Sequence, residues 1–210
     1  QLGYDAIMVN KPDFIWRPLY DDPNTIANRF INKYCSVSGL HKKSEYPILN
    51  KHCRTFLVGS DVVWNYEICG READDFFYLD FADDSKKKIA YAASFGGGYH
   101  APKEIQNRNK LFARKFDAIS VREDAAVNIC KKKFGIVATK VIDPVFLCDI
   151  KNYEKAIKDS TVTTNFKYIM TYILGGNELQ KNIILNISKK LNIKKLINVV
   201  NPNNPKRVIE

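Results

Sequence analysis

The sequence predicts an α/β fold with a parallel sheet, because short apolar runs alternate along the chain with segments of helical periodicity. Several of these runs end in small or turn-forming residues, as where Phe56-Leu57-Val58 is followed by Gly59-Ser60-Asp61. In an open α/β sheet, ligands bind beyond the carboxyl ends of the strands. This turn, with Trp64 as a flat apolar wall beside it, is therefore a candidate site, although an ordinary strand, turn and core tryptophan fit the same residues equally well.

The N-terminal part of the chain is predicted to contain one helix and three strands. Ile26, Phe30 and Tyr34 recur at helical spacing, so a helix is expected at residues 24–34. We expect the strands at residues 5–9, 56–58 and 76–81. The last of these, FFYLDF, is interpreted as a core strand at the edge of the sheet. Residues 36–52 are polar and are predicted to be irregular.

A second strand that ends in a turn is predicted at residues 88–94, where Phe95-Gly96-Gly97-Gly98 follows. Consecutive glycines let a backbone come close to a ligand or to another loop. Their spacing is not the GxGxxG spacing of a dinucleotide-binding turn, so they indicate close approach and no particular ligand. A helix is expected at residues 102–115.

A third strand is predicted at residues 118–121, and Ser120-x-x-Glu123 has the form of a capping box that would begin the next helix near Val121. Arg122 would then lie in the first helical turn. A cation is unfavourable there unless an anion binds at the same place. The alternative is a surface arginine that pairs with Glu123 or Asp124.

The chain is expected to hold one domain and the start of a second. A strand is predicted at residues 137–142, after which the alternation lapses. We therefore divide the chain into an N-terminal domain at 1–147, a linker at 148–165 and the beginning of a C-terminal domain at 166–210. In this last part, strands at 168–174 and 196–200 flank a helix with an apolar stripe interpreted as core. The stripe consists of Leu179, Ile183, Ile184, Ile187 and Leu191.

Two strands and one helix do not form a stable domain alone, and the chain opens in the middle of a helix-to-strand pattern. We therefore expect a piece of a longer protein that is truncated at both ends and lacks the first strand and helix of its N-terminal domain.

Composition and charge narrow the functional classes. The formal net charge of +10, from 33 basic and 23 acidic residues, favours anionic partners. Basic residues are not interleaved with exposed aromatic residues, so we expect no nucleic-acid binding. No apolar run reaches the roughly 20 residues that span a bilayer, so we expect no transmembrane segment. The three histidines share no metal-ligand spacing, so no metal is expected.

The cysteines indicate the compartment. Five are present without CxxC spacing, and we interpret them as buried thiols in a reducing environment. We therefore expect a cytoplasmic protein, with peripheral association at the inner face of the membrane left open.

Five motifs together resemble a known family. FLVGSDVVWN, FFYLDF, KKIAYAASFG, FDAISVRED and VIDPVFL follow in an order and spacing similar to those of the polysaccharide pyruvyl transferases, over about residues 3–147. The resemblance implies two Rossmann-like halves that face each other across a cleft, a glycosyltransferase-B-like architecture. It also implies an enzyme that transfers the enolpyruvyl part of phosphoenolpyruvate to sugar hydroxyls, commonly forming a cyclic pyruvate ketal.

The resemblance also implies the substrate-binding residues. Arg122 is expected to hold the phosphoenolpyruvate anion, with Glu123 beside it. The other expected substrate-binding residues are Gly59, Ser60, Asp61, Trp64, Asn65, Ser94, Phe95 and Gly96. The histidine that acts as general acid is expected beyond Glu210, so the catalytic residue is unknown and this piece is expected to be inactive alone.

The expected partners are phosphoenolpyruvate and a sugar or glycan acceptor, free or lipid-linked, with no further cofactor. Two alternatives stay open. A nucleotide-sugar-dependent glycosyltransferase would share the two-domain architecture, and a non-catalytic relative would keep the fold without the chemistry.

Overall fold

A four-stranded parallel sheet with the order β1-β2-β3-β4 forms the centre of the first of two compact units, residues 1–149 and 150–210. The strands are β1 (Thr55–Val58), β2 (Lys87–Ala93), β3 (Ala118–Val121) and β4 (Thr139–Lys140). The computed structural model describes residues 5–9, 25–39, 42–69, 75–158, 164–173 and 176–199. The predicted α/β class with parallel strands is confirmed.

Helices precede and connect these strands. They are α1 (Ile26–Tyr34), α2 (Tyr66–Cys69), α3 (Lys103–Ala113) and α4 (Asp124–Ile129), with short 3-10 helices at Lys43–Lys51, Phe76–Tyr78 and Pro144–Leu147. Thr25 caps α1 by accepting the Asn28 N–H at 3.2 Å. After α4 a π-helical turn, Cys130–Phe134, ends at Gly135 in the left-handed conformation, with φ of 66°. The helices predicted at 24–34 and 102–115 are confirmed to within two residues at each end.

An aromatic cluster fills the core of the first unit. The Trp64 and Tyr78 rings stack with centroids 5.2 Å apart and planes 2° from parallel. Phe95 packs against Trp64 on one side and Phe134 on the other, with centroids 5.4 and 5.8 Å away. The Trp64 indole N–H donates to the Phe77 carbonyl at 3.1 Å, so its one polar group is satisfied in the interior.

The aromatic segment at 76–81 is not the strand that its composition predicts. It forms a 3-10 helix over Phe76–Tyr78, followed by Leu79 in the left-handed conformation. Both Tyr78 and Leu79 are buried. Adjacent residues of a strand point to opposite faces, whereas a tight turn directs both side chains into one core. The density of aromatic residues therefore reflected burial and not strand formation.

Ser120 does not cap a helix but completes an irregular part of the sheet. The register between β2 and β3 shifts between Ala90 and Ala93, and Ala92 has φ of 51°. The Ala92 N–H donates to Ser120 Oγ at 3.1 Å, and the Ser120 hydroxyl donates to the Ala90 carbonyl at 3.2 Å. A β-bulge disrupts the ladder locally, and this hydroxyl satisfies two of the backbone groups involved. The capping-box prediction is therefore wrong, and α4 begins at Asp124.

Four other predictions differ from the structure. Residues 5–9 contain one isolated bridge, Met8 to Val37, and no extended strand. Residues 43–51 form a 3-10 helix where irregular chain was expected. The strand expected at 137–142 is reduced to two exposed residues, because β4 has a ladder partner on one side only among the described strands.

The fourth difference lies in the expected linker, which contains a helix, α5 (Ile150–Lys158). Ile150, Tyr153 and Ile157 lie at helical spacing on it. The segment is short and polar residues separate these three, so the sequence did not predict the helix.

The second unit contains a strand-helix-strand arrangement after α5. It consists of β5 (Tyr168–Tyr172), α6 (Glu178–Leu191) and β6 (Lys195–Val199), with β5 and β6 parallel. Asn177 and Gln180 form a reciprocal capping box at 3.0 and 2.9 Å, which fixes the start of α6. These elements are confirmed. Of the apolar stripe on α6, however, only Ile184 is buried, so the interpretation of the whole stripe as core is wrong for the described part of the chain.

The cysteines are all free thiols, but they are not all buried. Cys69 and Cys130 are buried, Cys35 and Cys53 are half-buried, and Cys148 is exposed. Burial raises the pKa of the Cys130 thiol to about 12, so it stays protonated at neutral pH. Across the described ranges, no helix combines the length and apolarity needed to cross a membrane.

Replacing Ser120 with Ala tests the role of its hydroxyl at the bulge. We expect a loss of about 1–3 kcal/mol in the free energy of unfolding, because the buried Ala92 N–H would lose its acceptor. Denaturant titration measures this loss. Ser85→Ala, at an exposed position, is the matched control and should change stability by less than about 0.5 kcal/mol. Equal effects of the two substitutions would contradict the assignment.

Candidate functional site

The structure brings most of the predicted site residues to one edge of the sheet. Because the four strands are parallel, their carboxyl ends lie side by side, with neighbouring strands about 4.8 Å apart. The segments that leave these ends are Gly59-Ser60-Asp61, Ser94-Phe95-Gly96, Arg122-Glu123 and Val141-Ile142-Asp143. We call this set the carboxyl edge.

Gly59 lets β1 and β2 approach each other at the start of the site. Its φ is 133°, and a Cβ atom added there would lie 1.9 Å from the Tyr91 carbonyl oxygen. An L side chain rarely adopts this φ, and the neighbour is backbone, which cannot move aside cheaply. Only glycine fits this position, so Gly59 has a structural reason to be here whatever binds beyond it.

Ser94 connects three strand ends through its hydrogen bonds. Its N–H donates to the Asp61 carbonyl at 3.1 Å, and its carbonyl accepts the Trp64 N–H at 3.1 Å. Its hydroxyl donates to Glu123 Oε1 at 2.7 Å and accepts the Gly96 N–H at 2.9 Å. Ser94 is fully buried, so these bonds hold the edge together without contact with solvent.

Asn65 supports the same edge from the loop after β1. Its Nδ2 donates to the Phe95 carbonyl at 2.9 Å, and its Oδ1 accepts the N–H groups of Glu67 and Ile68 at 3.0 and 2.9 Å, at the start of α2. Gly96 has φ of 64°, and a Cβ atom there would lie 2.9 Å from Asn65 Nδ2. Asn65 therefore fixes the backbone of Phe95 and Gly96, which belong to the carboxyl edge.

Arg122 lies where the strand ends converge. Its Nη1 donates to Asp143 Oδ2 at 2.6 Å. Its Nη2 is 3.7 Å from Asp61 Oδ1, and its Nε is 3.7 Å from Glu123 Oε1. The residue that precedes α4 as its N-cap is Glu123, so Arg122 is outside the helix and not in its first turn as expected.

The alternative prediction, a surface arginine that pairs with Glu123 or Asp124, is correct only for Glu123. Glu123 is near Arg122, but Asp124 pairs with Lys140 instead, at 2.6 Å. Arg122 Nε is buried and has no hydrogen-bond partner among the described residues. Its closest partner, Asp143, was not foreseen.

Asp143 is fixed from two sides. Its Oδ1 accepts the Val145 N–H at 3.0 Å and so caps the 3-10 helix Pro144–Leu147, while its Oδ2 accepts from Arg122. The Val145 N–H, and then the Arg122 guanidinium, hold the pKa of this carboxyl below its ordinary value of 3.8. A carboxyl with a lowered pKa stabilises the fold above its ordinary pKa, and this contribution is lost as the pH falls through the lowered value. Asp143 is therefore ionised at neutral pH.

An open depression of about 580 Å³ lies beside Arg122. It is lined by Arg122, Glu123, Lys140, Val141, Ile142, Asp143 and Phe146. Lys140, Asp143 and Phe146 were not among the predicted site residues. Asp143 could have been found by the same rule that selected the other segments, because it follows the end of the fourth parallel strand.

Three predicted site residues have no solvent-exposed surface: Trp64, Ser94 and Phe95 are fully buried. Trp64 therefore forms the floor beneath the site and not the apolar wall beside the turn that the sequence predicted. Asp61, in contrast, has a side chain that is 85% exposed, and its Oδ1 accepts the Val62 N–H at 2.8 Å, an interaction typical of a turn. Among the described side chains, no three His, Cys, Asp or Glu residues are grouped so as to hold a metal ion.

The fold and site together define an α/β protein with a candidate ligand site at the carboxyl edge of a parallel sheet. The comparison with protein families makes this specific: the chain belongs to the polysaccharide pyruvyl transferase family, whose model matches residues 6–209. The match confirms the resemblance and covers the second unit, where no motif was recognised. The family is one of transferases. No curated protein and no solved structure matches the chain.

Gly59→Ala tests the close approach of β1 and β2. We expect it to lower the free energy of unfolding by about 2 kcal/mol or more, because the new Cβ would overlap the Tyr91 carbonyl. Gly97→Ala is the control, since a Cβ there meets no atom within 4 Å. Thermal and denaturant unfolding measure both variants, and a Gly59→Ala protein as stable as Gly97→Ala would show that the two backbones are not so close.

Proposed function

We propose that the protein is a pyruvyl transferase that moves the pyruvate group of phosphoenolpyruvate onto hydroxyls of a cell-surface polysaccharide or its precursor, with formation of a pyruvate ketal. One observation carries the proposal within this family. Arg122 stands at the carboxyl edge of the sheet, and its Nη2 group, 3.7 Å from Asp61 Oδ1, forms no hydrogen bond with the described residues and is available to bind an anion. A guanidinium binds carboxylate or phosphate through charge-assisted hydrogen bonds.

Phosphoenolpyruvate carries a carboxylate and a phosphate on a masked enol. Protonation of its methylene carbon creates positive character at the neighbouring carbon, which a sugar hydroxyl attacks with loss of its proton. Phosphate then leaves from that carbon, and a second sugar hydroxyl adds there and loses its proton, which closes the ketal. The site must therefore hold two anionic groups, deliver a proton and orient an alcohol. Arg122 serves the first need, and its fixed donors cost no reorganisation when charge shifts during the reaction.

The net charge of the side chains around Arg122 disfavours binding of the donor by the carboxyl edge alone. Arg122 and Lys140 face the carboxylates of Asp61, Glu123, Asp124 and Asp143. A doubly charged donor would be repelled by this excess of negative charge unless further cations contact it. In the proposal, these cations and the proton donor come from other parts of the protein, as a two-domain architecture with a cleft would allow.

The acceptor in this proposal is a sugar or glycan, free or lipid-linked, that enters beside Arg122. The depression there combines charged side chains with the apolar surface of Ile142 and Phe146. A sugar ring has both hydroxyl groups and apolar C–H faces, so a mixed lining of this kind suits it. The free thiols are consistent with a cytoplasmic site of reaction, which we include in the proposal.

Arg122→Ala in the complete protein tests the proposed role. We expect phosphoenolpyruvate-dependent transfer to fall by a factor of about 100 or more in kcat/KM, because a charge-assisted contact to the donor is lost. Phosphate release in the presence of acceptor measures the reaction. Arg108→Ala is the matched control: its Nε contacts Asp75 Oδ1 at 2.7 Å, so it removes a paired arginine elsewhere.

Undiminished transfer by Arg122→Ala would contradict the assignment of the donor site. A thermal shift of the wild-type protein with a nucleotide sugar, and none with phosphoenolpyruvate, would favour a glycosyltransferase instead.

A further inference from the structure

We propose that Asp143 is a positioning residue, which holds the Arg122 guanidinium so that its Nη2 group faces the incoming donor. The inference rests on the proposed function and deepens it. The contact between Arg122 Nη1 and Asp143 Oδ2, at 2.6 Å, is the shortest that the guanidinium makes. The distances to Asp61 and Glu123 are both 3.7 Å, beyond hydrogen-bond reach.

Asp143 can fix Arg122 because the carboxylate is itself fixed. Its other oxygen accepts the Val145 N–H at 3.0 Å, where the chain enters the 3-10 helix Pro144–Leu147. This second bond does not involve Arg122, so the carboxylate keeps its place when the arginine moves or binds. Both Asp143 and Arg122 are only a quarter to a third exposed, which limits competition from water for the bond between them.

The benefit for the donor is preorganisation. An arginine side chain has many rotamers, and a ligand that binds a free one must also order it. With Nη1 held by Asp143, the guanidinium is already oriented before the donor arrives. Nη2 donates no hydrogen bond to the described residues, so this group is available to donate one to an anion.

A competing idea is that Asp143 occupies the place of the donor's own carboxylate and is displaced on binding. The two ideas predict opposite changes in KM. A positioning residue raises affinity for phosphoenolpyruvate, so its removal raises KM. A placeholder lowers affinity, so its removal lowers KM. The bond to Val145 favours positioning, because it keeps the carboxylate from leaving.

A double-mutant cycle in the complete protein tests the proposal. We expect Asp143→Ala to raise the KM for phosphoenolpyruvate about tenfold, with kcat changed less than about threefold. The reason is that the contact with Arg122 is weakened equally in the substrate complex and in the transition state. Asp143→Asn keeps a neutral acceptor and should have a smaller effect. In the Arg122→Ala background, Asp143→Ala should change KM less than about twofold, since there is no guanidinium left to position.

The control is Asp84→Ala, which removes the carboxylate of an exposed ion pair with Lys115, before the amino end of β2 and so away from the carboxyl edge. It should leave KM within about twofold of the wild type. A lower KM for Asp143→Ala, or an equal rise in KM with and without Arg122, would overturn the proposal. The second outcome would show that Asp143 acts only through the cap at Val145.

A second readout does not depend on activity. NMR relaxation of the Arg122 Nε–H group reports how ordered the side chain is. We expect this order to drop in Asp143→Ala and to stay unchanged in Asp84→Ala. Unchanged order in both variants would refute the positioning role. If order drops as expected but the wild type transfers nothing from phosphoenolpyruvate, the proposed function fails and the positioning of Arg122 stands.

Discussion

The candidate site depends on one buried residue, Ser94, because its four hydrogen bonds join the ends of three strands. Its backbone pairs with Asp61 and Trp64 from the loop after β1, and its hydroxyl binds Glu123 at the end of β3. A buried hydroxyl with every group satisfied is rigid, whereas one left unpaired is costly. The positions of Asp61 and Glu123, on either side of Arg122, follow from this junction. The close approach at Gly59 and the aromatic floor at Trp64 keep the junction in place.

The carboxylates at the carboxyl edge orient the Arg122 guanidinium and do not merely attract it. Arg122 is surrounded by carboxylates from the ends of β1, β3 and β4, yet it forms a hydrogen bond with only one of them, Asp143. Such an arrangement leaves an excess of negative charge at this edge and gives the guanidinium a well-defined direction.

The sequence predicted the regular part of this fold and the location of the site. Apolar runs identified β1, β2 and β3. Arg122 was selected as a residue of the first helical turn, and that placement is wrong, but Arg122 does lie at the carboxyl edge. Errors arose where a local pattern has two physical meanings. The aromatic run at 76–81 signals burial as well as strand formation, and the spacing of Ser120 and Glu123 suits a capping box, but both side chains bond to β2 and its turn instead. The partnership between Arg122 and Asp143 joins residues 21 apart in the chain, and only the alignment of β3 with β4 reveals it.

The proposed function requires this edge of the sheet to bind phosphoenolpyruvate through Arg122. A crystal structure of the complete protein with phosphoenolpyruvate and no acceptor tests it most directly. We expect a carboxylate or phosphate oxygen of the donor within hydrogen-bond distance of Arg122 Nη2, with Asp143 still bound to Nη1. Donor density elsewhere in the protein, with no atom in contact with Arg122, would contradict it.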